Sequence, residues 1–246
     1  MVHTLTSPAS PDRMADSRGG SGLAQRLNWL RAGVLGANDG IVSTAAVVVG
    51  VAGATTLTGP ILTAGMAAVV GGAISMALGE YVSVSSQRDS ERSLVEIERQ
   101  ALTDDPDGEL ADLARAYEAR GISPRTARQV AEELTARDPL EAQLRAKHNL
   151  DLDDVVSPWH AAVASAVAFT IGAVLPMLAI LLPPEPVRVP VTFAATLVAL
   201  ALTGTIASWI GGGSTLRAAA RVVLGGGLAL AATFLIGSLI GTTGLV

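Results

Sequence analysis

The stretch GANDGIVSTAAVVVGVAGA, residues 36–54, sets an amide and a carboxylate into a run that is otherwise apolar from Leu30 to Leu62. Asn38-Asp39-Gly40 has the composition of a tight turn, because short polar residues and glycine tolerate turn conformations. Around that tripeptide the run reads as a membrane span. It is longer than the ~20 residues needed to cross ~30 Å of hydrocarbon. The fold depends on whether the chain holds more runs of this kind.

It holds four more, so the apolar stretches are roughly 30–57, 61–85, 159–183, 189–210 and 216–243. Pro60 separates the first pair, Pro183-Pro184-Glu185-Pro186 the third from the fourth, and Gly211-Gly212-Gly213-Ser214 the last two. Composition agrees: the 246 residues are 50% hydrophobic and 16% charged, with a mean hydropathy of +0.46. Soluble domains usually carry about 25% charged residues. The charge is concentrated, since 86–157 holds 17 of the 22 acidic and 10 of the 17 basic residues. The expected fold is an all-α membrane protein of five transmembrane helices, with a helical insert between the second and third. Its segments are a disordered tail over 1–28, spans one and two over 29–86, the insert over 87–157, and spans three to five over 158–246. The tail is rich in Ser, Gly, Pro and Asp and lacks the apolar core of a signal peptide.

Cytoplasmic loops carry the excess of basic residues. A cytoplasmic N-terminus puts sixteen of the seventeen inside and leaves only Arg188 outside. The insert is then cytoplasmic and the C-terminus lies on the far side. With no cysteine in the chain, disulfides, thiolate catalysis and thiolate metal sites are excluded. Sixteen arginines against one lysine suggest a GC-rich bacterial genome, and hence a bacterial plasma membrane.

A charge inside a span costs ~3 kcal/mol on insertion scales, so it usually faces a bundle interior or an aqueous path. Asp39 lies about nine residues into its span, ~13 Å deep at 1.5 Å per residue. The second span, GGAISMALGEYVSVSSQRDSE (71–91), repeats the anomaly. Met76 and Glu80 are four apart and share a helix face. Because this span runs back toward the cytoplasm, Glu80 reaches a depth similar to that of Asp39. Each residue has an ordinary explanation: a structural hydrogen bond for Asp39, packing for Met76, interfacial snorkelling for Glu80. Together they supply hard oxygen and soft sulfur, a set that suits Fe²⁺ or Mn²⁺ better than Mg²⁺ or Ca²⁺.

These two motifs, with SPWHAAVASAVAFTIGAVLPML (157–178) and GISPRTARQVAEEL (121–134), resemble the vacuolar iron transporter family, which includes nodulin-like and bacterial members. Arg217, Arg221, Gly225, Ala229, Thr233 and Ile236-Gly237 extend the likeness through the last span. The resemblance implies a homodimer of five-helix chains in the bilayer that moves Fe²⁺ or Mn²⁺ out of the cytosol in exchange for protons. It implies no catalysis, no permanent cofactor and no nucleic-acid partner. The family's first-span aspartate falls on Asp39 and its second-span methionine on Met76. A glutamate that some members carry two turns earlier is Ala68 here, and Glu80 is expected to take over part of its role.

The insert reads as a polar continuation of the second span over 87–102 and a helix over 107–120 ending at Gly121. Ser123-Pro124 and Asp138-Pro139 then start two more helices as N-cap and N1 pairs. The resemblance implies that this insert binds metal. Glu91 and Glu98 are seven apart on one face, and Glu109 follows the break; Glu98 and Glu109 match family glutamates. Ala101 replaces another, and His148-Asn149 stands where relatives often have one, so His148 is the candidate substitute ligand. Two other classes remain open on residues alone. A membrane hydrolase needs a nucleophile with a base in reach, for which the spans offer only His160. A membrane-anchored metal buffer or sensor needs nothing more than the metal ligands.

Overall fold

The computed structural model describes residues 12–151 and 157–243, with side chains from residue 33 onward. Among the described residues all regular structure is helical. Eight helices follow one another: α1 Asp12–Ala54, α2 Thr58–Asp104, α3 Pro106–Glu118, α4 Pro124–Arg137, α5 Pro139–Gln143, α6 Pro158–Leu181, α7 Glu185–Gly211 and α8 Thr215–Thr242. A π-helical turn, Leu144–His148, continues α5. Five helical stretches are long and apolar enough to cross a membrane: Gly33–Ala54, α2, α6, α7 and α8. Helix α1 begins at Asp12, inside the segment expected as a disordered tail. Met14, Ala15 and Leu23–Leu27 are good helix formers, and they outweigh the glycines between them.

The chain divides into two compact units, 1–78 with 162–246, and 79–161. In the first, the contacts fix helix directions. Gly36 lies against Ala168 and Gly40 against Phe169, so α1 and α6 run parallel. Gly50 faces Gly237 and Ala54 faces Gly241, so α8 is parallel to α1 as well. Helix α7 opposes them, with Thr203 beside Asn38 and Leu200 beside Gly226. Helix α2 is also antiparallel, its Gly65 against Val48 and its Met76 against Gly36. Alternating directions are what five successive spans require. Val48, Ile61, Met177 and Ile180 form one core cluster, and Ile41, Ala199 and Leu200 another.

Small residues make the close crossings possible. A Cβ on Gly40 would collide with the Phe169 carbonyl, one on Gly172 with the Ala37 carbonyl, and one on Gly237 with the Gly50 carbonyl. The Gly36/Gly40 and Gly237/Gly241 pairs are therefore used inside the chain, where backbones touch across small residues.

The second unit is built by the distal part of α2 with α3, α4, α5 and the π turn. Asp105 caps α3 by accepting from the Gly108 amide at 2.9 Å, with Pro106 at the first helical position. Gly121, at φ 90°, ends that segment in a conformation that favours glycine. Asp138 caps α5 through the Glu141 amide at 3.0 Å. Ser123 stands at the N-cap of α4, but its hydroxyl pairs with Thr126 at 2.9 Å instead of capping. Leu113, Ala114, Ala131 and Ala142 form the core, flanked by Leu110, Tyr117 and Leu134. Tyr81 packs on Trp159 with ring centroids 4.9 Å apart. Trp159 and the neighbouring His160 are both otherwise exposed.

Candidate functional site

Asn38-Asp39-Gly40 is not a turn. Helix α1 passes through it without a break, and each residue has its own reason to be there. Gly40 admits the Phe169 carbonyl. Asn38 accepts a hydrogen bond from the Thr203 hydroxyl at 2.9 Å, which ties α1 to α7. Asp39 is exposed on the chain, where its Oδ1 accepts from the Ser43 hydroxyl one turn later at 2.9 Å. That is a local contact within one helix. It leaves most of the carboxylate's acceptor capacity open.

Met76 is half-buried, and its methyl group lies over Gly36, one turn before Asp39 on α1. The first unit thus brings the thioether to the turn of α1 that precedes the acid. Glu80 follows Met76 by one turn on α2 at a half-buried position, inside the second unit.

The insert candidates fare differently. Glu98 is buried, and both of its oxygens are engaged. Oε2 accepts from Lys147 at 3.1 Å, and Oε1 pairs with His148 Nε2 at 2.9 Å. Glu109 Oε2 accepts from the same Lys147 ammonium in a short contact. Glu98, Glu109 and His148 are therefore brought together, but around a lysine. Burial lowers the Lys147 pKa, and the hydrogen bonds and charges of Glu109 and Glu98 raise it by more, so the net shift is upward. Glu91, two turns earlier on α2, accepts from Gln87 at 2.8 Å, away from the lysine cluster. Among the described residues, no three His, Asp or Glu side chains are arranged to hold a metal ion. Tested against the metal implied for the insert, the residues do not fit.

Lys147 and Asn38 are the residues that sequence reading missed. Asn38 was legible as polarity in a span, though its partner on α7 was not. Lys147 is the only lysine of the chain, in AKHNLDL (146–152), and that singularity was its one signal. The π turn positions it. Its wider turn splays consecutive residues less than an α-helix does, so Lys147 and His148 both reach Glu98. Asn149, at φ 54°, closes the turn in the left-handed region, and its amide donates to the Leu144 carbonyl.

The VIT family model matches residues 30–238, which takes in the first four spans, the insert and most of the fifth span. The chain belongs to the VIT family. It is 39% identical over 212 residues to a protein named vacuolar iron transporter from Acanthamoeba castellanii, covering 86% of this chain and 78% of that protein. It is 38% identical over 213 residues to vacuolar iron transporter homolog 5 of rice, covering 86% and 80%. Vacuolar iron transporter homolog 2.1 of Arabidopsis thaliana is 34% identical over 222 residues, covering 90% and 85%. The VIT family is a family of transporters, as the expectation of no enzyme requires. These relatives overturn the expected bacterial plasma membrane, because they are eukaryotic and named for the vacuole. An excess of arginine over lysine reports the base composition of a genome, and base composition does not identify a kingdom or a membrane.

Proposed function

We propose that the chain carries Fe²⁺, and also Mn²⁺, out of the cytosol across an internal membrane in exchange for protons. Family membership and the names of its relatives support iron as cargo. The observation that carries the reading is Asp39: a carboxylate on a membrane-spanning helix, exposed on the chain and held by one serine. Left against lipid it costs ~3 kcal/mol, so an aqueous path or a partner surface must cover it. With Met76 over the adjacent turn, that surface offers an oxygen and a sulfur donor to a passing divalent ion.

The covering surface is a second copy of the chain. Only 11% of the most apolar stretch of α2 is buried, against 39% for α1 and α6. Leu62, Met66, Val70, Ile74 and Leu78 are exposed along it at four-residue spacing. A homodimer covers both this ridge and the face that carries Asp39. The basic residues of the insert support a cytosolic position for it, and Glu80, the next acid along α2 from Met76, exchanges the proton.

The test is metal flux into sealed proteoliposomes with an imposed proton gradient. Wild type should accumulate Fe²⁺ and Mn²⁺, and Asp39→Ala should not, while remaining dimeric. Glu80→Gln should retain metal binding and lose most proton counterflow, read by internal pH. Wild-type flux in Asp39→Ala sinks the site. Metal binding without flux in the wild type would make the chain a buffer or sensor.

A further inference from the structure

The insert of a VIT protein is expected to gather acids around metal, yet in this chain the acids gather around Lys147. We propose that the Lys147 ammonium is a built-in cation that occupies the place of a metal, so that the insert folds and stays closed with no metal bound. Three observations carry this. First, the lysine meets acids from two helices, Glu98 on α2 and Glu109 on α3, from a third element, the π turn. It thereby joins segments separated by 49 and 38 positions in sequence, as a bound metal would. Second, the most deeply buried acid is fully engaged. Both Glu98 oxygens are engaged, and the three charged side chains are largely covered, at 6% exposure for Glu98, 13% for Glu109 and 22% for Lys147. A divalent ion would have to expel the ammonium or lie beside it, and like charges in a covered site repel strongly.

Third, the backbone is arranged to hold the lysine there. Gln143, fully buried at the start of the π turn, donates to the Glu109 backbone carbonyl at 2.6 Å. Arg120 donates to the Ala146 carbonyl at 3.0 Å, next to Lys147 in sequence. These bonds fix the π turn against α3 without using any of the acids. The positions at which a ligand is missing fit the same account. Ala101 brings no donor, and Asn149 serves to end the helix in the left-handed conformation.

The full-length protein in detergent, followed by peptide-resolved hydrogen exchange, tests the proposal separately from transport, because the read peptides cover 94–113 and 139–150 and exclude Asp39 and Met76. In the wild type, exchange in these peptides should be the same with a chelator as with saturating Mn²⁺. Slowing by Mn²⁺ in the wild type would overturn the proposal. In Lys147→Gln with chelator, the same peptides should exchange at least tenfold faster. Unchanged exchange in that variant would overturn it as well. If Lys147→Gln does not accumulate, Lys147→Arg keeps the cation and should exchange as wild type does with or without chelator. An arginine variant whose insert closes only with Mn²⁺ would refute the built-in cation.

Discussion

Asp39 and Glu98 are both acids that the pattern of residues offers as metal ligands, and the two regions that hold them treat them in opposite ways. Asp39 is exposed on its helix, with one hydroxyl from its own next turn. Glu98 is buried, with a lysine on one oxygen and a histidine on the other, both about fifty positions away. An acid that is to receive a cation transiently must keep lone pairs open, at a cost in the membrane. An acid that holds a fold together must have them filled. Saturation, more than residue type, separates the proposed cargo site from the scaffold.

Neutralising each acid in turn is the sharpest way to break this comparison. Asp39→Asn should lower flux by at least ~100-fold, the upper end of what losing a mere supporting group costs a metal site, while leaving the melting temperature unchanged. Glu98→Gln should do the reverse to stability and cost the insert about 1.5–3 kcal/mol, the range for a hydrogen bond to a charged group. Flux assays and thermal melts on the two variants check both. Loss of stability in Asp39→Asn, without loss of flux, would erase the distinction.

How much of this was legible beforehand follows the same divide. The five spans, the cap at Asp138 and the stop at Gly121 were readable because each depends on local chemistry: span length, a capping carboxylate, a glycine at positive φ. The continuity of α1 through Asn38-Asp39-Gly40 was not, because the residues that account for it, Phe169 and Thr203, lie more than a hundred positions away. The lysine in the insert was hidden for the same reason. The structure brings Glu98, Glu109 and His148 together, but the group at their centre is set by a π turn that no periodicity announces.

The Met76 contact sharpens the cargo side. Its methyl lies over Gly36, so Met76→Ala should weaken both packing and metal handling. A thioether favours the softer ion, so the fractional loss of Fe²⁺ flux should exceed that of Mn²⁺ flux in parallel uptake assays. Equal losses with folding preserved would leave Met76 with a packing role alone.

On the scaffold side, pH should act through Lys147. Its pKa is raised by Glu109 and Glu98 against the opposing effect of burial, so its contribution to stability is complete below the ordinary lysine value of ~10.5 and is lost as pH rises through the elevated one. The helical circular dichroism of the insert should fall above pH ~10.5 while that of the membrane helices persists. Lys147→Arg should move the loss to higher pH, because a guanidinium stays protonated there. The same midpoint in both proteins would mean that the alkaline transition has another origin.

The smallest effect expected is at Ser43, and it decides whether the single bond to Asp39 matters. The hydroxyl donates to Oδ1 at 2.9 Å from one turn further along α1, so it can hold the carboxylate in one rotamer without closing it to metal. Such a bond contributes about 0.5–1.5 kcal/mol, equivalent to a ~2- to 10-fold change in affinity. Ser43→Ala should therefore raise the metal concentration for half-maximal flux by that factor, with little change in maximal rate, and Ser43→Thr should restore it. A loss of maximal rate as large as that of Asp39→Asn would make the hydroxyl a ligand in its own right. No change at all would mean that Asp39 needs no local support, and that its orientation comes from the surface that covers it.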